Sequence, residues 1–161
     1  QDIEKAKQFK HTTLNISDGP NGENGGIGVL RTGEEEHQTT MAMKYTSQGM
    51  GHGHFDRLGF IMFDNNNDII TDYGAARFLN IEQKNGGHYL YENDKYAKQT
   101  IAHNALVVDE KSHFNGNLKE ASKYSPALYA FDNTADTKLI SAIETNAADG
   151  VKNAQKHLPS F

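Results

Sequence analysis

The sequence predicts a mostly β protein, an antiparallel and sandwich-like β-sheet built from hairpins. Short runs rich in β-branched and aromatic residues recur along the chain. Clusters of Gly, Asn and Asp stand between those runs. Glycine is plentiful at 15 and proline scarce at 3, a balance that suits tight turns between strands rather than disorder. With 161 residues, the chain is long enough for one domain with its own core.

Residues 1–26 read as a lead-in or linker. Within them, residues 4–11 suit the frayed end of a helix, and Ser17-Asp18-Gly19-Pro20-Asn21-Gly22 is dense turn chemistry. From Ile27 the pattern changes to strands. Segments 27–32 and 39–47 flank Gly33-Glu34-Glu35-Glu36-His37, a hairpin signal with a polar loop. In the second of these strands Met41, Met43 and Tyr45 share one face, and Thr40, Ala42, Lys44 and Thr46 the other. Segments 58–63 and 69–71 flank Asp64-Asn65-Asn66-Asn67-Asp68. Asn and Asp tolerate the left-handed backbone, so this is a second hairpin. A long polar segment, 73–99, follows, and loops of that length in a compact domain are usually functional. Residues 100–109, 128–131 and 138–143 are three further predicted strands. Beyond Asn146, short helix and coil fit equally well. The predicted domain therefore runs over 27–145, with 146–161 unassigned and read as truncated. The chain opens at Gln1 in mid-pattern, which reads as a fragment of something longer.

Composition removes several classes of function. The formal net charge is -5, and no basic face for nucleic acid is visible. The absence of cysteine excludes thiolate chemistry, disulfides and Cys-ligated zinc. No apolar run reaches the roughly 18 residues that a spanning helix needs, so no membrane partner is expected.

The densest chemical patch is Gly49-Met50-Gly51-His52-Gly53-His54-Phe55-Asp56-Arg57. In an extended backbone residues i and i+2 point the same way, so both imidazoles face one side. The glycines let the backbone come close to a ligand or metal. Their spacing matches neither phosphate-loop fingerprint, and a strand follows rather than a helix. From spacing alone, the pair stays open between two exposed loop histidines and a metal site. Asp72 and His103 could join His54 on one face. Two imidazoles and a carboxylate suit zinc, with water as a fourth ligand. A turn cap for Asp72 and a core histidine for His103 remain the plainer alternatives. Arg77 could clamp a carboxylate in bidentate fashion or make a surface salt bridge. Tyr89 could serve as acid and base near a cation, or simply anchor a loop.

These residues also carry a resemblance. The run Lys44-Tyr45-Thr46-Ser47-Gln48-Gly49-Met50-Gly51-His52-Gly53-His54-Phe55-Asp56 resembles the heparinase II/III-like lyases, and more narrowly the oligoalginate lyases of polysaccharide lyase family 17. Similar blocks are Thr71-Asp72-Tyr73-Gly74-Ala75-Ala76-Arg77-Phe78, Asn85-Gly86-Gly87-His88-Tyr89, Thr100-Ile101-Ala102-His103-Asn104 and Val107-Val108-Asp109-Glu110-Lys111-Ser112. The match runs from about Gly25 to about Gly116, in order and in spacing. The resemblance implies an N-terminal (α/α) toroid joined to a C-terminal antiparallel β-domain, with the active site between them. This chain resembles only the start of the β part and would pack against that toroid. The resemblance further implies zinc held by His54, Asp72 and His103, Tyr89 as the catalytic tyrosine, His52 assisting beside the scissile bond and contacting substrate, and Arg77 binding substrate. An Asn–His pair and a second tyrosine would come from the toroid. The implied reaction is β-elimination on an anionic uronate oligosaccharide or polysaccharide, alginate above all, in the periplasm or outside a bacterial cell. A zinc-dependent hydrolase and a non-catalytic carbohydrate-binding β-domain are the competing readings.

Overall fold

The computed structural model describes residues 11–34, 37–49, 51–77, 80–82 and 89–148. Its main body is a five-stranded antiparallel sheet, β1 (Leu14–Ser17), β2 (Gly26–Thr32), β3 (Thr39–Lys44), β4 (Gly59–Asp64) and β5 (Asn67–Ile70), paired in chain order. A separate hairpin of β6 (Ala127–Asn133) and β7 (Lys138–Ile143) completes the β structure among the described residues. Both sheets are antiparallel throughout, as the hairpin pattern predicts. None of the described helices is long and apolar enough to cross a membrane.

Local chemistry accounts for the turns. Asn65 and Asn66 connect β4 to β5 with φ of 48° and 62°. Two successive positive φ values make the type I′ turn whose twist matches the flanking strands. The hairpin lies over the sheet at Gly28 on β2, where an added Cβ would stand 2.6 Å from Cγ1 of Ile140 on β7. Glycine at that point lets the two layers approach closely. Tyr45 is wholly buried, and its phenol donates to Asn15 Oδ1 at 2.6 Å, tying the end of β3 to β1.

Four differences from the sequence reading stand out. The segment read as a lead-in supplies β1, paired with β2 from Leu14↔Val29 to Ser17↔Gly26. The turn chemistry after Ser17 is the β1–β2 connection rather than a linker. The strand predicted to reach residue 47 ends at Lys44. Both faces of β3 are half-buried, so its faces do not separate into a wet and a dry side. The predicted strand over 100–109 is not a strand. Thr100–Ala102 is a 3-10 turn, and a later turn through Asp109 and Glu110 closes a single bridge between Val108 and Lys111. The Thr100 hydroxyl donates to Phe55 O at 2.5 Å and accepts from His113 N–H at 2.8 Å. These long-range bonds hold the backbone in a turn that β propensity alone disfavours. The helix read at residues 4–11 lies outside the described residues, apart from His11.

Beneath the loops sits a small core of Phe55, Phe114, Ala121 and Ala147, with Tyr124 packed against it. Ala121 ends the single turn α1 (Leu118–Ala121), which Asn117 caps by accepting from the Glu120 amide. Arg57 runs through this core with its side chain 2% exposed. Its guanidinium pairs with Glu144, donates to the carbonyls of Ala121 and Tyr124 at 2.6 Å, and lies 4.5 Å from the Phe114 ring centroid. One side chain therefore joins the start of β4, α1 and the segment after β7.

Candidate active site and metal centre

Every predicted site residue lies on a connection between strands. The β3–β4 loop carries His52 and His54. Its backbone is not extended throughout, because Gly49 and Gly51 adopt φ of 70° and 62°. At Gly53 an added Cβ would fall 1.5 Å from Gln48 O. The loop doubles back on itself here, and only glycine fits. The Gln48 side chain also donates to His54 O at 3.2 Å.

The two histidines serve different partners. His52 is exposed, and its Nδ1 lies 3.0 Å from the Tyr89 hydroxyl. Tyr89 forms an antiparallel bridge with Arg77, whose guanidinium carbon stands 5.6 Å from the Tyr89 ring centroid. The Leu90 amide donates to Ala76 O at 2.9 Å beside that bridge. His52, Tyr89 and Arg77 thus form one partly open polar cluster.

His54 reaches the other way. Its ring centroid is 5.1 Å from that of His103, which follows the Thr100–Ala102 turn. Burial lowers the pKa of His54, and the neighbouring His103 lowers it further. A neutral imidazole is the form that binds a metal. Asp72, just after β5, points both carboxylate oxygens at His103 Nδ1, at 2.8 and 2.9 Å, and accepts from the Gly74 amide at 2.9 Å. Burial works against its ionisation, but the Gly74 amide and His103 outweigh it and hold the carboxyl below its ordinary value. An ionised carboxylate only accepts, so His103 Nδ1 carries the proton and donates. In the neutral ring Nε2 then keeps its lone pair. That atom is buried and has no hydrogen-bond partner.

A cation would answer this unpartnered lone pair, so the residues fit a metal. His54, Asp56 and His103 each offer a ligand atom, all within 4.8 Å of one another. Asp56 was missed in the sequence, although His52, His54 and Asp56 alternate at i, i+2 and i+4. In the structure Asp56 is engaged by Lys44, whose Nζ lies 2.7 and 2.6 Å from its two oxygens. Two carboxylates therefore stand beside the imidazole pair. Asp72 engages His103 Nδ1, an arrangement that would orient the ring toward a bound metal, and Asp56 lies within ligand reach of both rings.

Fold and site together define a class: an antiparallel β-domain whose loops hold a tyrosine–histidine–arginine cluster next to a histidine–carboxylate centre. Comparison with known proteins gives the particular family. Residues 16–158 match the family described as heparinase II/III-like, C-terminal, and the chain belongs to it. It is 52% identical over 147 residues to an alginate lyase of Stenotrophomonas maltophilia strain K279a, covering 91% of this chain and 20% of that protein. It is 49% identical over 144 residues to an exo-oligoalginate lyase of Saccharophagus degradans strain 2-40, covering 89% of this chain and 20% of that protein. A solved heparinase III superposes with a TM-score of 0.64 at 15% identity, over 88% of this chain and 19% of its own. At that identity the likeness concerns the fold alone. The chain spans about one fifth of the length of the curated relatives it matches.

Proposed function

We propose that this chain is the β-domain portion of a polysaccharide lyase that cleaves a uronate-containing polymer or oligomer, alginate foremost, by β-elimination. The observation that carries the reading is the 3.0 Å contact between His52 Nδ1 and the Tyr89 hydroxyl, with the Arg77 guanidinium beside the same ring. Two relatives, 52% and 49% identical, are an alginate lyase and an exo-oligoalginate lyase, in agreement with it.

The chemistry asks for these groups. The proton on C5 of a uronate becomes acidic only when charge on the neighbouring carboxylate is stabilised. Arg77 supplies a fixed positive charge and two parallel donors suited to a carboxylate. Tyr89 takes the C5 proton as its own phenolic proton passes to His52, 3.0 Å away. The electron pair forms the C4–C5 double bond, and the C4–O4 bond breaks. The phenol then returns its proton to the departing O4, so one residue acts as base and acid in turn. His52 holds the Tyr89 oxygen in place and exchanges its proton. An N-terminal (α/α) toroid would close the site from the other side.

Zinc is the metal this reading assigns, held by His54 and His103 with Asp72 or Asp56, and when bound it would supply a fixed positive charge that ties the β3–β4 loop to the Asp72 and His103 segments. Its part is structural. His52 and Tyr89 perform the proton transfers.

The test is product chemistry in the intact enzyme. Elimination gives an unsaturated uronate that absorbs in the near ultraviolet, and hydrolysis does not. We expect that absorbance to grow with oligouronate substrate. Tyr89→Phe should lower kcat by about 10²–10⁴-fold, the usual worth of a positioned acid–base group. Chain cleavage without near-ultraviolet absorbance would replace the lyase with a hydrolase. Binding without cleavage would leave a carbohydrate-binding domain.

A further inference from the structure

The catalytic cluster draws its parts from three separate segments, and one short turn touches all three. It is a π-helical turn, Asn93–Ala97, closed by Lys98. π-helical turns are rare and are frequent at functional sites. Asn93 is buried, 2% exposed, and its Oδ1 accepts from the Ala76 amide at 3.1 Å. Its own amide donates to Leu90 O at 3.0 Å. Ala76 precedes Arg77 and Leu90 follows Tyr89, so Asn93 brackets the Arg77–Tyr89 bridge from both sides.

Lys98 holds the third part. Its Nζ donates to Gly51 O at 3.1 Å, and its carbonyl accepts from the Phe55 amide at 2.8 Å. These two bonds flank the segment that presents His52. An added Cβ at Gly49 or Gly51 would meet nothing within 4 Å. Gly51, Gly53 and Lys98 line one open cleft. At Gly51 packing therefore does little to place the backbone, and the hydrogen bond from Lys98 does it. Asp94, one turn before, keeps Lys98 aimed through an ion pair at 3.1 Å. Within the turn, Lys98 N donates to Asn93 O at 2.9 Å, which couples the two grips.

We infer that Asn93 and Lys98 are positioning residues of the lyase site: the π-helical turn sets the distance between His52 and the Tyr89–Arg77 pair. This rests on the lyase reading above, in which those three residues act together. A misplacement of about 1 Å in such a constellation costs up to about 100-fold in rate. A residue that only stabilises the fold would alter melting temperature and leave kcat per folded molecule unchanged.

The experiment uses the full-length protein, with Lys98→Met, Lys98→Arg and Asn93→Ala. Lys98→Met keeps the length of the side chain and removes its donors. We expect kcat to fall about 10-fold, with KM within twofold and the melting temperature nearly unchanged. Lys98→Arg should restore most of kcat. Amide exchange should quicken at residues 51–53 in Lys98→Met and at Ala76 in Asn93→Ala, while strands β2–β4 keep their protection. If Asn93→Ala does not fold, the lysine pair decides alone. Unchanged kcat and unchanged exchange in Lys98→Met would overturn the inference, as would exchange quickened equally through the whole sheet. If the wild type yields no unsaturated product, the lyase reading falls, and the exchange pattern by itself decides whether the turn places the loop.

Discussion

Removing the charge from Glu144 should cost this domain more stability than any surface substitution. The side chains of Arg57 and Glu144 are 2% and 3% exposed. Both ions have left water, and each is compensated chiefly by the other. Glu144 has one more tie, accepting from the Asn146 amide through Oε1 at 2.7 Å. Glu144→Gln keeps the shape and one acceptor but leaves the guanidinium uncompensated, at a cost of about 3 kcal/mol, the low end for breaking a buried pair. Arg57→Met leaves the carboxylate alone and also strips donors from the carbonyls of Ala121 and Tyr124. Each abandoned carbonyl adds about 1 kcal/mol or more, so the total is about 5 kcal/mol. Equilibrium urea unfolding measures both. The double variant Arg57→Met with Glu144→Leu removes both charges and should recover a large part of the loss, because apolar replacements of a buried pair are often neutral. A Glu144→Gln loss below about 0.5 kcal/mol, the ordinary spread of surface changes, would refute the reasoning. So would additive losses in the double variant.

Three further outcomes follow from the geometry. Gly28→Val should destabilise by about 1–3 kcal/mol through overpacking against Ile140, and adding Ile140→Ala should return part of it in the same urea assay. His113 gives a pH signature. Burial lowers its pKa from 6.5, only partly offset by its hydrogen bond to Leu106 O. The unfolded chain therefore binds the proton more readily. The contribution of His113 is fully present above pH 6.5 and is lost as pH falls from there through the lowered value. A His113→Gln variant should show a flatter melting-temperature profile below pH 6.5 than the wild type. For the proposed zinc site, His103→Gln should weaken zinc binding at least about 10–100-fold in calorimetry, the scale known for disturbing a relay around a ligand. Zinc affinity equal to wild type would exclude His103 from the centre.

The strands were legible where periodicity and turn chemistry agree. The Asn65-Asn66 turn shows this: alternation gives the strands, and the tolerance of Asn for positive φ gives their connection. β1 was hidden because Leu14–Ser17 is four residues long and abuts a turn cluster, too short for a period to show. The run from Thr100 to Val108 misled for the opposite reason. Its composition favours a strand, but Thr100 spends its hydroxyl on Phe55 and His113, partners 45 and 13 residues away. The histidines and Tyr89 stood out as residue types in unusual glycine-rich surroundings. Lys44, Asp56, Asn93, Lys98 and Glu144 did not. Their roles arise from pairings across the chain, such as Arg57 with a carboxylate 87 positions later, and no local spacing records those.

Because His52, His54, Asp72, Arg77, Tyr89 and His103 all sit on connections and none on a named strand, the sheet acts as a chassis that is indifferent to the cargo it carries. Connections tolerate insertion and exchange better than the elements they join. One scaffold can thereby carry different chemistry on its rim, while the ladders underneath stay as they are.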